Sequence, residues 1–177
     1  YKKIGEFFKG KPISILDLPS VYVDWNLHAY ENAGINISSY TAAESIPAIA
    51  EEICNLLSKK NSSFVFKQRS FLGDILHDNL PRNMENFSFL NLDFCSALGP
   101  SWTAFTLPGK ISRIVSDPFA LLLTVNPRSP SKPCPKVEHA LEYIFPAFYN
   151  FKPVFLEKRS YRDTSAMVTY LSIYKGE

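Results

Sequence analysis

The sequence predicts an α/β fold: a mostly parallel sheet of seven strands, covered by helices on both faces and closed by a C-terminal antiparallel hairpin. Short apolar runs alternate with stretches whose apolar residues recur at helical spacing, which favours parallel strands joined by right-handed helical crossovers. Residues 119–125 form an apolar run that is typical of a strand buried on both faces. Two strand-like runs joined by a polar turn end the chain and indicate the hairpin.

Composition narrows the class of protein. A chain of 177 residues, 46% of them hydrophobic and 20% charged, predicts one domain over residues 1–177 that begins with a basic segment, residues 1–11. Its 19 Lys and Arg against 17 Asp and Glu leave a net charge of +2, which excludes a histone-like polycation and an acidic tail. The three cysteines and three histidines show no zinc spacing, so we expect no metal site. No apolar run approaches the roughly 20 residues that span a bilayer, and we expect a cytoplasmic, intracellular protein.

The first elements are delimited by proline and glycine. Residues 13–18 are predicted to form a buried strand that ends at the turn Pro19-Ser20. A helix over residues 24–33 is expected to stop at Gly34, a common C-terminal cap. Residues 35–41 alternate between apolar and polar and predict the second strand.

The clearest helix of the sequence follows. Its opening, Ser45-Ile46-Pro47, combines a capping residue with a proline in the first turn. Six apolar residues share one face and are expected to pack in the core: Ile46, Ile49, Ala50, Ile53, Leu56 and Leu57. Residues 64–66 and 87–94 predict the third and fourth strands.

The remaining elements complete the alternation. Residues 101–116 are predicted to be partly helical, around residues 110–115, before the strand at 119–125. Residues 136–148 predict a helix that begins after Pro135. Residues 154–159 and 165–174 predict the two strands of the hairpin.

Polar residues that follow the predicted strands mark the candidate site, because an open parallel sheet binds its ligands beyond the carboxyl ends of the strands. The segments after the five alternating strands are Asp17 to Ser20, Glu44, Gln68 to Asp74, Asp93 to Ser96, and Asn126 to Arg128. Acidic side chains therefore converge on one edge of the predicted sheet.

With these residues in place, the chain resembles the class I S-adenosylmethionine-dependent methyltransferases, whose sheet is Rossmann-like. Ile-Leu-Asp-Leu-Pro-Ser is similar to the first-strand motif, which implies that Asp17, Pro19 and Ser20 receive the methionine portion of the cofactor. Glu44 is similar to the acid that accepts hydrogen bonds from the ribose hydroxyls. Asp74, within Gly-Asp-Ile, is similar to the segment that contacts the adenine ring.

The resemblance implies S-adenosylmethionine as the cofactor and methyl transfer as the reaction, with nucleic acid or protein as the possible acceptor. The segment Asn-Leu-Asp-Phe-Cys is similar to the fourth-strand motif at the reacting centre. Asp93 could orient or deprotonate the nucleophile, and Phe94 could stack on a planar acceptor. The Leu-Asp-Leu-Pro and Leu-Asp-Phe-Cys segments are also similar to small methyltransferase-like proteins of viruses and plasmids.

The turn after Asp17 favours a second hypothesis. The resembled family carries glycines there so that the backbone can pass close to the cofactor. This chain has Leu-Pro-Ser-Val-Tyr-Val instead, with no glycine before Gly34. The alternative function is a non-catalytic binding protein that retains the fold. Asp17, Glu44 and Asp93 each have a simpler alternative too, as turn or helix-capping acids. The other site residues also have simple alternatives: an ordinary turn for Pro19 and Ser20, a solvated helix for Asp74, and the core for Phe94.

Basic residues near the predicted binding edge indicate a possible nucleic-acid partner. They lie in the proline-rich loop and at the hairpin tip: Arg128, Lys132, Lys158, Arg159 and Arg162. Together with Tyr161 they could contact phosphates and stack a base. A solvated positive surface is the alternative, and we expect no membrane partner.

Overall fold

The computed structural model describes residues 1–19, 23–44, 46–60, 64–68, 86–94, 106–126, 135–162 and 166–176. The helices are α1 (Lys2–Phe7), α2 (Val23–Asn32), α3 (Pro47–Ser58), α4 (Thr106–Ile111), α5 (Pro135–His139) and α6 (Phe145–Tyr149). The strands are β1 (Pro12–Asp17), β2 (Asn36–Glu44), β3 (Phe64–Gln68), β4 (Phe87–Asp93), β5 (Val115–Val125), β6 (Phe151–Arg162) and β7 (Ala166–Gly176). Among these residues, no helix is both long enough and apolar enough to cross a membrane.

The chain divides into two units, and the first, Tyr1–Asn91, contains the parallel strands. β1 lies between β2 and β4 and runs parallel to both, while β3 runs parallel to β2. The register sets Asp17 opposite Ala42 of β2 and opposite Asn91 of β4. The predicted parallel pairing is confirmed, and it brings the carboxyl ends of these strands to one edge.

The basic N-terminal segment contains a helix that the sequence analysis did not assign. Ile4 of α1 is fully buried, and Phe8, the first residue after the helix, is almost fully buried. Gly5 faces the end of α2 so closely that a Cβ atom there would lie 1.9 Å from the carbonyl oxygen of Ala33. The ring of Tyr1 meets the ring of Tyr30 edge-on at 4.8 Å. The segment therefore belongs to the core of the first unit.

The caps of α2 and α3 agree with the prediction in part. Gly34 adopts a φ of 73° just after α2, as predicted for a left-handed cap. Within α3, Ala50, Ile53 and Leu57 are buried. The prediction that Ile46 packs in the core is wrong, since its side chain is 52% exposed. Its backbone is extended at the N-cap, so its side chain does not lie on the apolar face of the helix.

The second unit, Leu92–Glu177, contains the predicted antiparallel hairpin. β7 pairs antiparallel with both β5 and β6. The pairing of Phe151 with Gly176 makes both hairpin strands longer than predicted. The α/β class and the C-terminal hairpin are thus confirmed, whereas a single sheet of seven strands stays a prediction.

The stretch 101–116, predicted to be partly helical, does contain a helix, but the placement of that helix around residues 110–115 is wrong. Helix α4 spans Thr106–Ile111 instead, and β5 begins already at Val115. Pro108 explains the early start, because proline lacks an N–H donor and is tolerated in the first turn of a helix. Hydrogen bonds from the amides of Ser112 and Arg113 back to Pro108 and Lys110 then close the last turn.

The predicted helix at residues 136–148 is confirmed in extent but is not a regular α-helix. A wider π-helical turn, Ala140–Ile144, lies between α5 and α6, and the amide of Phe145 donates to the carbonyl of Ala140. Pro146 follows immediately and gives a physical reason. It has no N–H, and its ring would clash with the carbonyl four residues earlier in a regular helix.

Candidate functional site

The carboxyl ends of β1 and β2 bring three predicted cofactor residues to the same edge of the first unit. Asp17 is the last residue of β1, and Glu44 is the last residue of the neighbouring parallel strand β2. Pro19 follows β1 by two residues and is buried. Ser20 and Asp74, the other two predicted cofactor residues, lie outside the described residues.

Asp17 has no exposed surface, and its carboxylate accepts hydrogen bonds from four side chains. Tyr30 and Tyr40 each donate a hydroxyl to Oδ2 at 2.8 Å. The amide of Asn26 reaches both oxygens, at 3.0 Å and 3.3 Å. The amide of Asn91 donates to Oδ1 at 3.0 Å. We call these five residues the Asp17 cluster.

Burial dominates the electrostatics of the Asp17 cluster. Removal from water raises the pKa of Asp17 from 3.8 to about 6, although the hydrogen bonds from Tyr40, Tyr30, Asn26 and Asn91 lower it. Burial, together with the nearby Asp17 charge, raises the pKa of both Tyr30 and Tyr40 well above 10. At neutral pH a carboxylate is therefore surrounded by neutral donors.

This arrangement bears on the predicted role of Asp17. A side chain with no exposed surface touches a ligand only if the cluster around it opens. Direct contact with a cofactor stays a prediction, and the burial supports an indirect role instead.

The partners of Asp17 were not predicted from the sequence, although the sequence contains weak signals for them. Tyr30 follows Val23 and Leu27 at helical spacing, so it lies on the buried face of α2. Asn91 lies in the fourth-strand motif but was not singled out. A polar side chain at a core-facing position is the signal that could have identified them, because such a group requires a buried partner.

Glu44 combines partial burial with a local structural role. Its Oε1 atom accepts a hydrogen bond of 2.9 Å from the amide of Ile46, just before α3. This contact agrees with the alternative role of an acid that stabilises a helix start. A carboxylate has about four acceptor positions, so the same side chain retains the capacity to accept hydroxyl groups of a ligand.

The two predicted catalytic residues belong to the second unit. Asp93 ends β4 and is partly buried. Phe94 follows it, and its backbone amide donates to the carbonyl of Thr124 at 3.1 Å. Their parts in catalysis stay predictions.

The two described cations of the predicted nucleic-acid surface are paired within their own unit. Lys158 binds Glu138, which also accepts a hydrogen bond from the hydroxyl of Tyr170. Arg159 pairs with Glu157 at 2.6 Å. Arg128 and Lys132 lie outside the described residues, and of Arg162 only the backbone is described. Nucleic-acid binding stays a prediction.

Neither a scan against protein-family profiles nor a search of curated proteins finds a match to the sequence. Solved structures do match the fold. TYW2 of M. jannaschii, solved in complex with AdoMet, is 12% identical with a TM-score of 0.61, over 99% of this chain and 74% of that one. An rRNA methylase from Streptococcus thermophilus is also 12% identical, with a TM-score of 0.61 over 99% and 94% of the two chains.

A third neighbour is the 1,6-didemethyltoxoflavin-N1-methyltransferase of Burkholderia thailandensis. It was solved with 1,6-didemethyltoxoflavin and S-adenosylhomocysteine, and it is 14% identical with a TM-score of 0.63. The match covers 99% of this chain and 76% of that one. Taken together, these similarities show that the chain has the class I S-adenosylmethionine-dependent methyltransferase fold.

Proposed function

We propose that the protein binds S-adenosylmethionine and transfers its methyl group to an acceptor molecule. The observation that carries this proposal is the methyltransferase fold, matched over 99% of the chain. The acid that ends β2 supports it, since a carboxylate at this edge suits a ribose. The cofactor supplies an activated methyl group on a sulfonium.

The described residues fit the cofactor in part. The carboxylate of Glu44 can accept ribose hydroxyls while it keeps its contact with the amide of Ile46. Asp17 offers no exposed acceptor and would support the site from inside the protein. Pro19 would border the methionine portion, as the resemblance implies.

Asp93 and Phe94 would serve the acceptor in this proposal. The Asp93 carboxylate would orient the attacking amine or hydroxyl and hold the proton that it loses. Phe94 would stack on a planar acceptor. The acceptor class would be nucleic acid or protein.

Calorimetric titration with S-adenosylmethionine and with S-adenosylhomocysteine tests the proposal. Glu44→Gln keeps one oxygen for the amide of Ile46 but removes the charge and an acceptor from the ribose. We expect it to weaken both ligands by about 10- to 100-fold, the equivalent of roughly 1.5–3 kcal/mol for a hydrogen bond to a charged group.

Glu51→Gln is the matched control, because it removes an exposed acid from α3 and should leave affinity unchanged. A folded wild-type protein that gives no binding heat at millimolar ligand would overturn the proposal. Equal weakening by both variants would contradict the role of Glu44.

One observation favours a second candidate function, a non-catalytic binding protein with the methyltransferase fold. The carboxyl end of β1 is sealed by the four side chains around Asp17, and Leu18 and Pro19 follow where the resembled family has small residues. The same titration separates the candidates, since this second function requires no affinity for either ligand.

A further inference from the structure

One buried carboxylate joins every described element that borders the end of β1. Asn26 and Tyr30 bind it from α2, Tyr40 from β2 and Asn91 from β4. The amide of Leu18, the next residue along the chain, donates to the carbonyl of Asn91 at 3.0 Å. The direction in which the chain leaves β1 is thus set by contacts made at Asp17 and beside it.

The donor and acceptor count favours an ionised carboxylate. All four partners donate, and two oxygens offer about four acceptor positions. The amide of Asn91 also donates to the hydroxyl oxygen of Tyr30 at 2.7 Å, so that oxygen already accepts a hydrogen bond. A proton on Asp17 would add a further hydrogen to a site filled with donors, and at least one donor would have to turn its hydrogen away from the carboxyl group.

We propose that Asp17 is a positioning residue of the cofactor site: its ionised carboxylate fixes α2 against the ends of β1, β2 and β4 and so holds the exit from β1 in its binding shape. This inference rests on the proposed function. In the resembled family, glycines let the backbone approach the cofactor. In this chain the buried Asp17 carboxylate would instead set the path of the backbone from inside the protein.

Protonation gives the proposal a measurable signature. Burial raises the pKa of Asp17 to about 6, so most of the carboxylate is ionised at pH 7.5 and about one tenth at pH 5. The described titratable groups that face the cluster are Tyr30 of α2, Tyr40 of β2 and Tyr1, whose ring contacts Tyr30. Tyr30 and Tyr40 stay neutral in this range, because their pKa is raised well above 10.

The experiment measures the affinity for S-adenosylhomocysteine between pH 7.5 and 5 in the full chain. If only the ionised form is competent, wild-type affinity falls about tenfold at pH 5, in proportion to the competent fraction. Asp17→Asn should bind more weakly at pH 7.5 and lose the pH dependence. Tyr174→Phe, which removes a buried hydroxyl in the second unit, should follow the wild-type profile.

Tyr40→Phe is a second variant that tests the same proposal if Asp17→Asn does not fold. It keeps the carboxylate but removes one donor, so the affinity profile should move to higher pH. Wild-type affinity that is independent of pH, while unfolding experiments show Asp17 titrating, would overturn the positioning role and leave the proposed function intact.

Hydrogen exchange of the α2 amides is the second readout, and it needs no ligand. In Asp17→Asn at pH 7.5, intrinsic-rate-corrected exchange in α2 should increase relative to β5, because Asn26 and Tyr30 of α2 lose the charged acceptor that they share. If no ligand binds at any pH, the proposed function fails, and this exchange still tests whether Asp17 holds α2. Unchanged exchange in α2 would overturn the proposal on its own.

Discussion

Each unit has a buried cluster, and the two clusters are built on opposite principles. The first unit surrounds the Asp17 charge with hydroxyl and amide donors. The second packs Phe119 against Phe145, Phe151 and Tyr174, with ring centroids 4.9–5.8 Å apart. Desolvation favours the aromatic cluster and opposes the charged one.

Each cluster contains a buried tyrosine, and the two tyrosines differ in the group that accepts their hydrogen bond. The hydroxyl of Tyr174 donates to the backbone carbonyl of Leu141 at 2.9 Å, whereas that of Tyr40 donates to the Asp17 carboxylate at 2.8 Å. The geometry is nearly equal, but only the second acceptor can gain a proton near neutral pH. We therefore expect the aromatic cluster to supply stability and the Asp17 cluster to supply orientation and pH sensitivity.

Phe119→Ala is expected to have the largest effect on stability. It removes a fully buried ring from the centre of the aromatic cluster and should cost about 3–5 kcal/mol of the free energy of unfolding. Urea denaturation measures it. The loss should be the same at pH 5 and at pH 7.5. A loss that depends strongly on pH would contradict the expectation that only the Asp17 cluster is sensitive to pH.

The pH profile of Asp17 itself comes next. Its folded pKa lies above its ordinary value, so its contribution to stability is fully present below pH 3.8 and is lost as pH rises through about 6. The difference between a pKa of about 6 and 3.8 corresponds to about 3 kcal/mol. Subtracting the unfolding free energies of Asp17→Asn from those of the wild type isolates it. A difference that rises with pH would show instead that the hydrogen bonds outweigh burial and hold the folded pKa below its ordinary value.

Tyr40→Phe and Tyr174→Phe form a matched pair. Tyr40→Phe removes a hydrogen bond to a charge and should cost about 1.5–3 kcal/mol at pH 7.5, with a smaller loss at pH 5. Tyr174→Phe removes a neutral hydrogen bond and should cost about 0.5–1.5 kcal/mol at both pH values. Parallel urea titrations of the two variants compare them directly, and equal pH profiles would remove the distinction.

Gly5→Ala and Gly109→Ala give the smallest contrast. A Cβ at Gly5 meets a backbone oxygen, so we expect a loss of about 1–3 kcal/mol from overpacking. A Cβ at Gly109 would lie 2.6 Å from the hydroxyl of Tyr149, which can swing away. The better helix propensity of alanine, about 0.5–1 kcal/mol, should then offset the strain. Thermal unfolding of both variants checks the pair.

The alternation of strands and helices could be predicted because it depends on local patterns. Each signal affects only the few residues around it. Examples are the apolar run of β1, the glycine that ends α2 at Gly34, and the proline in the first turn of α3. The same reasoning placed Asp17 and Glu44 at strand ends. Helix α1 was not predicted, because its packing depends on contacts with residues distant in sequence, such as Gly5 with Ala33 and Tyr1 with Tyr30.

The Asp17 cluster could not be predicted, because its partners are distant in sequence. Tyr30, Tyr40 and Asn91 lie 13, 23 and 74 residues from Asp17. Whether they converge depends on the register of β1 with β2 and β4, which no local pattern determines. The cytoplasmic location and the similarity to viral and plasmid proteins stay predictions.

The π-helical turn between α5 and α6 has a consequence for comparing this chain with its relatives. A turn in which Phe145 bonds to Ala140 holds one residue more than a regular helical turn. It is equivalent to a single-residue insertion absorbed inside a helix. An alignment against a relative with a regular helix should therefore open a one-residue gap between positions 140 and 144. An alignment based only on regular helical spacing would place no gap there.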